Sequence, residues 1–289
     1  NMPKIGFKYP DGTKVSLNDV RERKVDIEKM GVALPTLLHM SEQRDSNRKP
    51  STTELLIGTC QAYLQRTVDY YENPQDNAFS LAGTIHHSKL EDFAVSGMEA
   101  ELKLEYKGIT GILDLYDKET RTLIDYKNTG SYKASQILGI QSSEKLSETE
   151  VYKKNGRWGK AGTPKKIKVF YQDKGTANFG DWLWQLNFYR LMLEKSGNPV
   201  DKMCIQMTIR DGGIMVATSR GVYKNIYLVD VPFINNEVLE ERFLDKKEKL
   251  LKSLENKEMP SMCSAEETWN GNKCKNYCTV RDFCPYIRA

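Results

Sequence analysis

Two short segments of this chain place charged side chains where apolar ones would be expected. Asp114 closes Gly111-Ile112-Leu113-Asp114, and Asp125 and Lys127 stand in Leu123-Ile124-Asp125-Tyr126-Lys127. Each acid lies in an otherwise apolar, strand-like run, where burying a charge is costly unless something compensates it. Residues i and i+2 of a strand share a face, so Asp125 and Lys127 project together. A hairpin turning between Glu119 and Thr120 sets Asp114 opposite Asp125 on that face, and a slip of one residue separates them. Two carboxylates held together repel unless a cation sits between them, and hard ions such as Mg²⁺ or Mn²⁺ prefer oxygen ligands. Such an ion activates water and offsets negative charge developing on a phosphoryl group. Lys127 would then orient the attacking water or stabilise the transition state. Taken alone, D-x-K describes equally well a salt bridge between Lys127 and one acid.

Further residues bear on the choice. In Gly83-Thr84-Ile85-His86-His87-Ser88-Lys89-Leu90-Glu91, His87 and Glu91 stand one helical turn apart, and neutral imidazole suits Mn²⁺ as well as softer metals. Gln185 and Tyr189 share a helix face, which by itself is ordinary amphipathic spacing; Trp182 and Trp184 beside them read as packing. Six cysteines with no secretory context argue for metal ligation or simple burial rather than a disulfide framework. Three of them crowd the C-terminus, at Cys274, Cys278 and Cys284. Cys204 falls in a strand and reads as core.

These pieces, in order, resemble the RecB-like branch of the PD-(D/E)XK nucleases, which includes the AddB nuclease domain and the CRISPR-associated iron–sulfur exonucleases. The motifs are G-x-x-x-H-x-x-L-E over 83–91, G-x-x-D ending at Asp114, D-x-K at Asp125 and Lys127, and Q-x-x-x-Y at Gln185 and Tyr189. The resemblance implies that His87, Asp114, Asp125 and the Tyr126 backbone carbonyl hold Mg²⁺ or Mn²⁺. It makes Lys127 the catalytic lysine, and has Gln185 and Tyr189 support the site or contact substrate phosphates. It also implies a structural 4Fe–4S cluster on Cys60, Cys274, Cys278 and Cys284. One spacing departs from the family: three residues, not two, separate Cys274 from Cys278. A zinc site on Cys263, Cys274, Cys278 and Cys284 is the competing reading, with Cys60 then a buried helix thiol.

The elements that must position these residues are legible in outline. Residues 1–50 are polar and weakly periodic, an arm of unknown role with a linker over 41–50. Ser51-Thr52-Thr53-Glu54 is a capping box, and the helix it starts places Leu56, Cys60, Tyr63 and Leu64 on one face. A second helix runs over about 80–94. Strand composition follows at 99–106, 111–116 and 121–126. A basic insertion over about 130–175 has a hairpin tip at Lys154-Asn155-Gly156-Arg157. A helix over 181–195, strands at 203–209 and 225–231, and a charged helix over 236–256 complete residues 51–262. A cysteine-rich segment, 263–289, then closes onto that core. The expected fold is α/β: a restriction-endonuclease-like mixed β-sheet core flanked by helices, with a C-terminal cysteine-rich staple.

Length and composition fit a soluble protein with a sizeable core: 289 residues, 39% hydrophobic and 28% charged. No apolar run reaches membrane-spanning length, and no hydrophobic signal segment opens the sequence, so a cytoplasmic or nucleoid-associated location is expected, not secretion. Net charge is only +4, but between Val151 and Lys174 eight basic residues face one acid. Of these, Lys153, Lys154, Arg157, Lys165, Lys166 and Lys168 suit backbone-phosphate contacts or a solvated loop. The expected function is Mg²⁺- or Mn²⁺-dependent exonucleolytic cleavage of single-stranded or frayed DNA in recombination or repair. No Walker-type loop occurs, so any motor belongs to a helicase or recombination partner. Three rivals stand beside this: a structure-selective or sequence-specific endonuclease, an enzyme acting on RNA, and a non-catalytic nucleic-acid-binding protein with a zinc-bound tail.

Overall fold

Strands β1 (Lys4–Lys8) and β2 (Lys14–Ser16) form a hairpin, and short helices α1 (Leu17–Arg21), α2 (Ile27–Met30) and α3 (Leu34–Met40) follow. Polar as this stretch is, its apolar side chains gather in one small core of Phe7, Val15, Leu17, Val20, Val25, Met30, Leu37 and Met40. Ser16 and Asp26 cap α1 and α2 by accepting backbone amides, and Gly31 ends α2 in the left-handed conformation. The computed structural model describes residues 4–42 and 48–287, and the side chains of His87, Ser88 and Glu91 lie outside the described residues.

Next come α4 (Thr52–Leu56), α5 (Thr59–Thr67), β3 (Tyr70–Glu72) and α6 (Ala78–Glu91). The expected capping box is formed by Ser51 and Glu54. The single helix expected after it is split in two. Ile57 and Gly58 are extended, and a side chain at Gly58 would meet the Cys263 sulfur at 2.3 Å. The first residues also acquire a task here. β3 pairs in parallel with β1, and Leu81 of α6 packs against the small core, so residues 4–42 anchor the helix that carries His87.

The remaining elements are β4 (Met98–Tyr106), β5 (Ile109–Asp117), β6 (Thr122–Thr129), α7 (Ser131–Ile137), β7 (Ile140–Val151) and β8 (Pro164–Gln172). After them come α8 (Asp181–Lys195), β9 (Lys202–Ile209), α9 (Met215–Thr218), β10 (Ile226–Asp230), α10 (Asn236–Asn256) and α11 (Asn272–Asn276). The fold is mixed α/β, with parallel and antiparallel pairing and sheets flanked by helices. Among the described residues, no helix is long and apolar enough to cross a membrane.

The chain divides into two units, and β6 and β9 each run through the boundary. The first comprises Asn1–Asp125, Asp181–Met203 and Val231–Ala289. In it β4, β5 and the start of β6 form an antiparallel meander, with α8 behind β4 and β5. Phe188 of α8 stacks on Phe243 of α10 at 4.0 Å. Asn187, fully buried, fixes the chain leading into α10 by donating to Pro232 O and accepting from Ile234 N. The second unit comprises Tyr126–Gly180 and Cys204–Asp230. It contains the β9–β10 ladder and the long β7–β8 hairpin, and Asp211, just after β9, accepts both the amide and the hydroxyl of Ser131 at the start of α7, each at 2.6 Å.

One buried ion pair holds α4 to α5. Arg66 Nε donates to Glu54 Oε1 at 2.7 Å, and the two side chains are 3% and 6% exposed. Arg48 reaches the same carboxylate at 2.9 Å. Glu54→Ala removes the capping box and strands two cations, so it is expected to cost about 3–5 kcal/mol. A urea melt reads this directly, and an unchanged midpoint would show that the pair does not hold these helices together.

Candidate active site and thiol cluster

The β5–β6 ladder pairs Asp117 with Thr122, Tyr116 with Leu123 and Leu115 with Ile124. One step further along this register brings Asp114 level with Asp125, on the same face, as opposed residues of an antiparallel pair are. Asp125 is 2% exposed and Asp114 partly buried. The turn behind them is built by a different acid. Asp117 accepts the amides of Glu119 and Thr120 and the Thr120 hydroxyl, and that hydroxyl first, then the amides, hold its carboxyl below the usual range. Asp117 therefore serves the hairpin and not the site.

Sequence reasoning missed a third carboxylate. The β4–β5 ladder pairs Ala100 with Leu115 and Leu102 with Leu113, which leaves Glu101 level with Asp114. Glu101 sits at φ 47°, a left-handed conformation that an ordinary residue adopts inside a strand only at a cost of about 1–3 kcal/mol. Only the register singles it out. A two-residue turn at Lys107-Gly108 makes Glu101 and Asp114 mirror positions, just as the later turn does for Asp114 and Asp125.

Gln185 and Tyr189 of α8 are brought to this meander. Gln185 Nε2 donates to the Tyr189 hydroxyl at 3.2 Å. Burial first, then the charges of Asp125, Asp114 and Glu101, push the Tyr189 hydroxyl well above its ordinary pKa, so it stays protonated and able to donate. Its ring lies against Gly111, where a Cβ would come within 2.7 Å of Cε1. Strand alternation puts Gly111 and Asp114 on opposite faces of β5. Tyr189 itself is only 3% exposed, and its ring supports the strand at Gly111.

Tyr126 and Lys127 continue β6 into the second unit, and Lys127 shares the strand face of Asp125 by alternation. The backbone of His87 lies in α6, but its side chain is outside the described residues. Among the described residues, no three His, Cys, Asp or Glu side chains converge to hold a metal ion as they stand. The basic insertion forms the β7–β8 hairpin, in which the acids of β7 face the lysines of β8. Lys165 pairs with Glu150 at 2.8 Å and Lys166 with Glu144 at 3.7 Å, while Lys168 lies over the Phe170 ring. Lys153, Lys154 and Arg157 stand at the exposed end, Arg157 over the Trp158 ring at 5.4 Å.

Five of the six cysteines line one small cavity of about 40 Å³: Cys60 on α5, and Cys263, Cys274, Cys278 and Cys284 of the C-terminal segment. Cys60 Sγ donates to Met259 Sδ at 3.8 Å. The neighbouring Cys263 first, then burial, pushes the Cys60 thiol far up. The neighbouring Cys60 in turn holds the Cys263 thiol below its ordinary pKa. Burial raises Cys274 and Cys278 and lowers Lys273, the cation beside them. Soft thiolates around a cation suit an iron–sulfur cluster or zinc. The sixth, Cys204, is buried in β9 with Asp230, as its strand position suggests.

The contact of Tyr189 with Gly111 gives a direct test of the support behind Asp114. Gly111→Ala forces the ring or the strand to move, and overpacking of this kind costs about 1–3 kcal/mol. A thermal melt should show the loss, and the same substitution made in a Tyr189→Ala background should cost less. A loss unchanged in the double variant would mean that the ring is not what Gly111 accommodates. Compared with known proteins, the sequence matches no family model and no curated protein.

Proposed function

We propose that this chain is a metal-dependent deoxyribonuclease on a restriction-endonuclease-like core, an exonuclease that hydrolyses phosphodiester bonds of single-stranded or frayed DNA ends. The level placement of Asp114 and Asp125 on adjacent strands, with Lys127 two residues beyond Asp125, carries this reading. Two carboxylates on one strand face form a hard oxygen donor set, which fits Mg²⁺ or Mn²⁺. When bound there, a divalent cation supplies positive charge to the phosphoryl group under attack. Asp114 and Asp125 bind and orient, with His87 and the Tyr126 carbonyl as further ligands. Lys127 directs the attacking water and stabilises negative charge on the phosphoryl oxygens. Tyr189, with Gln185 donating to its oxygen, holds β5 from behind.

Substrate contact is assigned to the hairpin end. Lys153, Lys154 and Arg157 are left to bind phosphates where Lys165 and Lys166 are engaged by acids, and the exposed Trp158 beside Arg157 offers a face for a base. A 4Fe–4S cluster on Cys60, Cys274, Cys278 and Cys284 ties the C-terminal segment to α5 as a structural staple. The protein acts on DNA alone or beside a helicase or recombination protein.

Digestion of end-labelled linear and closed circular DNA with Mg²⁺, Mn²⁺ or EDTA tests the proposal. Linear DNA should be lost only with a divalent cation, circles should be spared, and Lys127→Ala should lower turnover by about 10²–10³. Cleaved circles would make the enzyme an endonuclease. Tight binding without cleavage, unchanged by Asp114→Asn, would remove catalysis from the account.

A further inference from the structure

Strand β10 pairs with β9 along one side, and among the described residues no strand lies along its other side. Which backbone groups face that open side follows from the ladder. Ile226 is level with Thr208 and Asp230 with Cys204. Just outside these pairs, Asn225 O accepts from Ile209 N at 2.8 Å and Val231 N donates to Met203 O at 2.9 Å. Alternate residues of an antiparallel strand bond to the neighbour, so the amides and carbonyls of Ile226 and Leu228 point away from β9.

Open edges are commonly blunted by charge, proline or a covering element. Here the charges stand only at the ends, with Lys224 before the strand and Asp230 closing it. Between them Ile226 and Leu228 are 57% and 59% exposed. Gly212 and Gly213 lie against Asn225 at the strand's start, and the residues that follow them, Ile214 and Met215, are exposed too. Apolar surface therefore continues past the strand itself. The start of the strand is also held in place, because the Tyr227 hydroxyl accepts the amides of Tyr223 and Lys224 at 3.0 and 2.9 Å.

An edge of this kind can be continued by a strand of the same sequence, and the residues choose the register. Two copies related by a two-fold axis pair antiparallel, with outward-facing residues opposite each other, so the axis passes through a residue and not between two. An axis at Ile226 sets Lys224 against Leu228 of the second copy. An axis at Leu228 sets Ile226 against Asp230. Each leaves a charge facing an apolar side chain. An axis at Tyr227 sets Ile226 against Leu228 twice, and brings Lys224 of each copy level with Asp230 of the other. Asp230 accepts the Cys204 thiol at 3.4 Å, and a carboxylate accommodates further donors.

We propose that β10 is a self-association edge, to which a second copy of this chain adds its own β10, antiparallel and centred on Tyr227. Nothing in this depends on the nuclease reading. Because the β7–β8 hairpin belongs to the same unit as β10, each dimer carries two basic hairpin ends. A five-residue strand makes a small contact, so the dimer should exchange with monomer as concentration changes.

Light scattering on the full chain over a concentration series tests this, since it reads mass directly. The wild-type protein should pass from monomer to dimer, and Leu228→Lys, which puts a charge in the apolar centre, should stay monomeric. Lys224→Asp and Asp230→Lys should each weaken the dimer about tenfold, and the two together should restore it with the signs exchanged. A wild-type chain that is monomeric throughout overturns the proposal, as does a dimer that Leu228→Lys leaves intact. A dimer weakened by both single charge changes and not regained by the exchange overturns it as well, because the register is then wrong. Should Asp230→Lys fail to fold, the exposed centre supplies a second exchange: Ile226→Lys and Leu228→Glu should each abolish the dimer and together restore it. Failure of that restoration in folded protein rejects the same register.

Discussion

A strand gives alternate side chains to opposite faces, so acids on neighbouring strands meet only in one register, and every other feature of the candidate site follows from that register. Two turns hold it. Between β4 and β5, Lys107 and Gly108 both take positive φ, at 48° and 74°, the geometry of a two-residue hairpin whose twist matches its strands. Between β5 and β6, Asp117 ties down the amides of Glu119 and Thr120. Pro50 and Thr52 then grip both backbone groups of Thr110 at the start of β5. The acids themselves favour slippage, since like charges at one level repel. The turns, the Thr110 contacts and the Tyr189 ring behind Gly111 oppose it, and together they keep Glu101, Asp114 and Asp125 in a row.

A second constraint operates at the start of α5. A helix beginning at a glycine lacks a capping side chain, and four amides are left to find partners. Here the neighbour comes from far along the chain: the Cys263 side chain packs against Gly58, in the space a side chain there would fill. Gly58 is therefore required for the space its missing side chain leaves. The rest of the C-terminal segment follows this anchor. Glu267 accepts from Lys246, which also donates to Ile57 O, and Gln65 donates to Thr279. Sequence separations of about two hundred residues are closed by these polar contacts, and such closures favour a covalent or metal staple because loop entropy opposes them.

Much of this could be read from the residues alone, and what could not has physical reasons. The bounds of α8 and α10 are legible because long amphipathic periodicity and terminal caps agree. Asp114 and Asp125 are legible because acids inside apolar strands are unusual. Glu101 is not, since Glu99, Glu101 and Glu105 alternate with other residues as on any half-exposed strand, and only the register selects one of them. The break between α4 and α5 is invisible for a different reason: its cause is a sulfur two hundred positions away. Residues 4–42 conceal their fold because a core of eight small contributions, spread over three short helices and a hairpin, produces no periodic signal. The basic insertion misleads in the opposite direction, because counting one strand of a hairpin omits the acids that face it from the other.

The two candidate donor sets are also separated by chemistry. Oxygen ligands for a hard cation tolerate little error in position, and they are carried on adjacent strands whose spacing the ladder dictates. Sulfur ligands are gathered differently, from one helical turn and an irregular segment that can adjust to whatever it encloses. The acids accordingly come in a row fixed by the ladder, while five thiols gather around one cavity. Where the scaffold is rigid, precision comes from register and each ligand has one place. Where the scaffold is a wrapped tail, side chains settle into whatever space the core leaves, as Cys263 does beside Gly58.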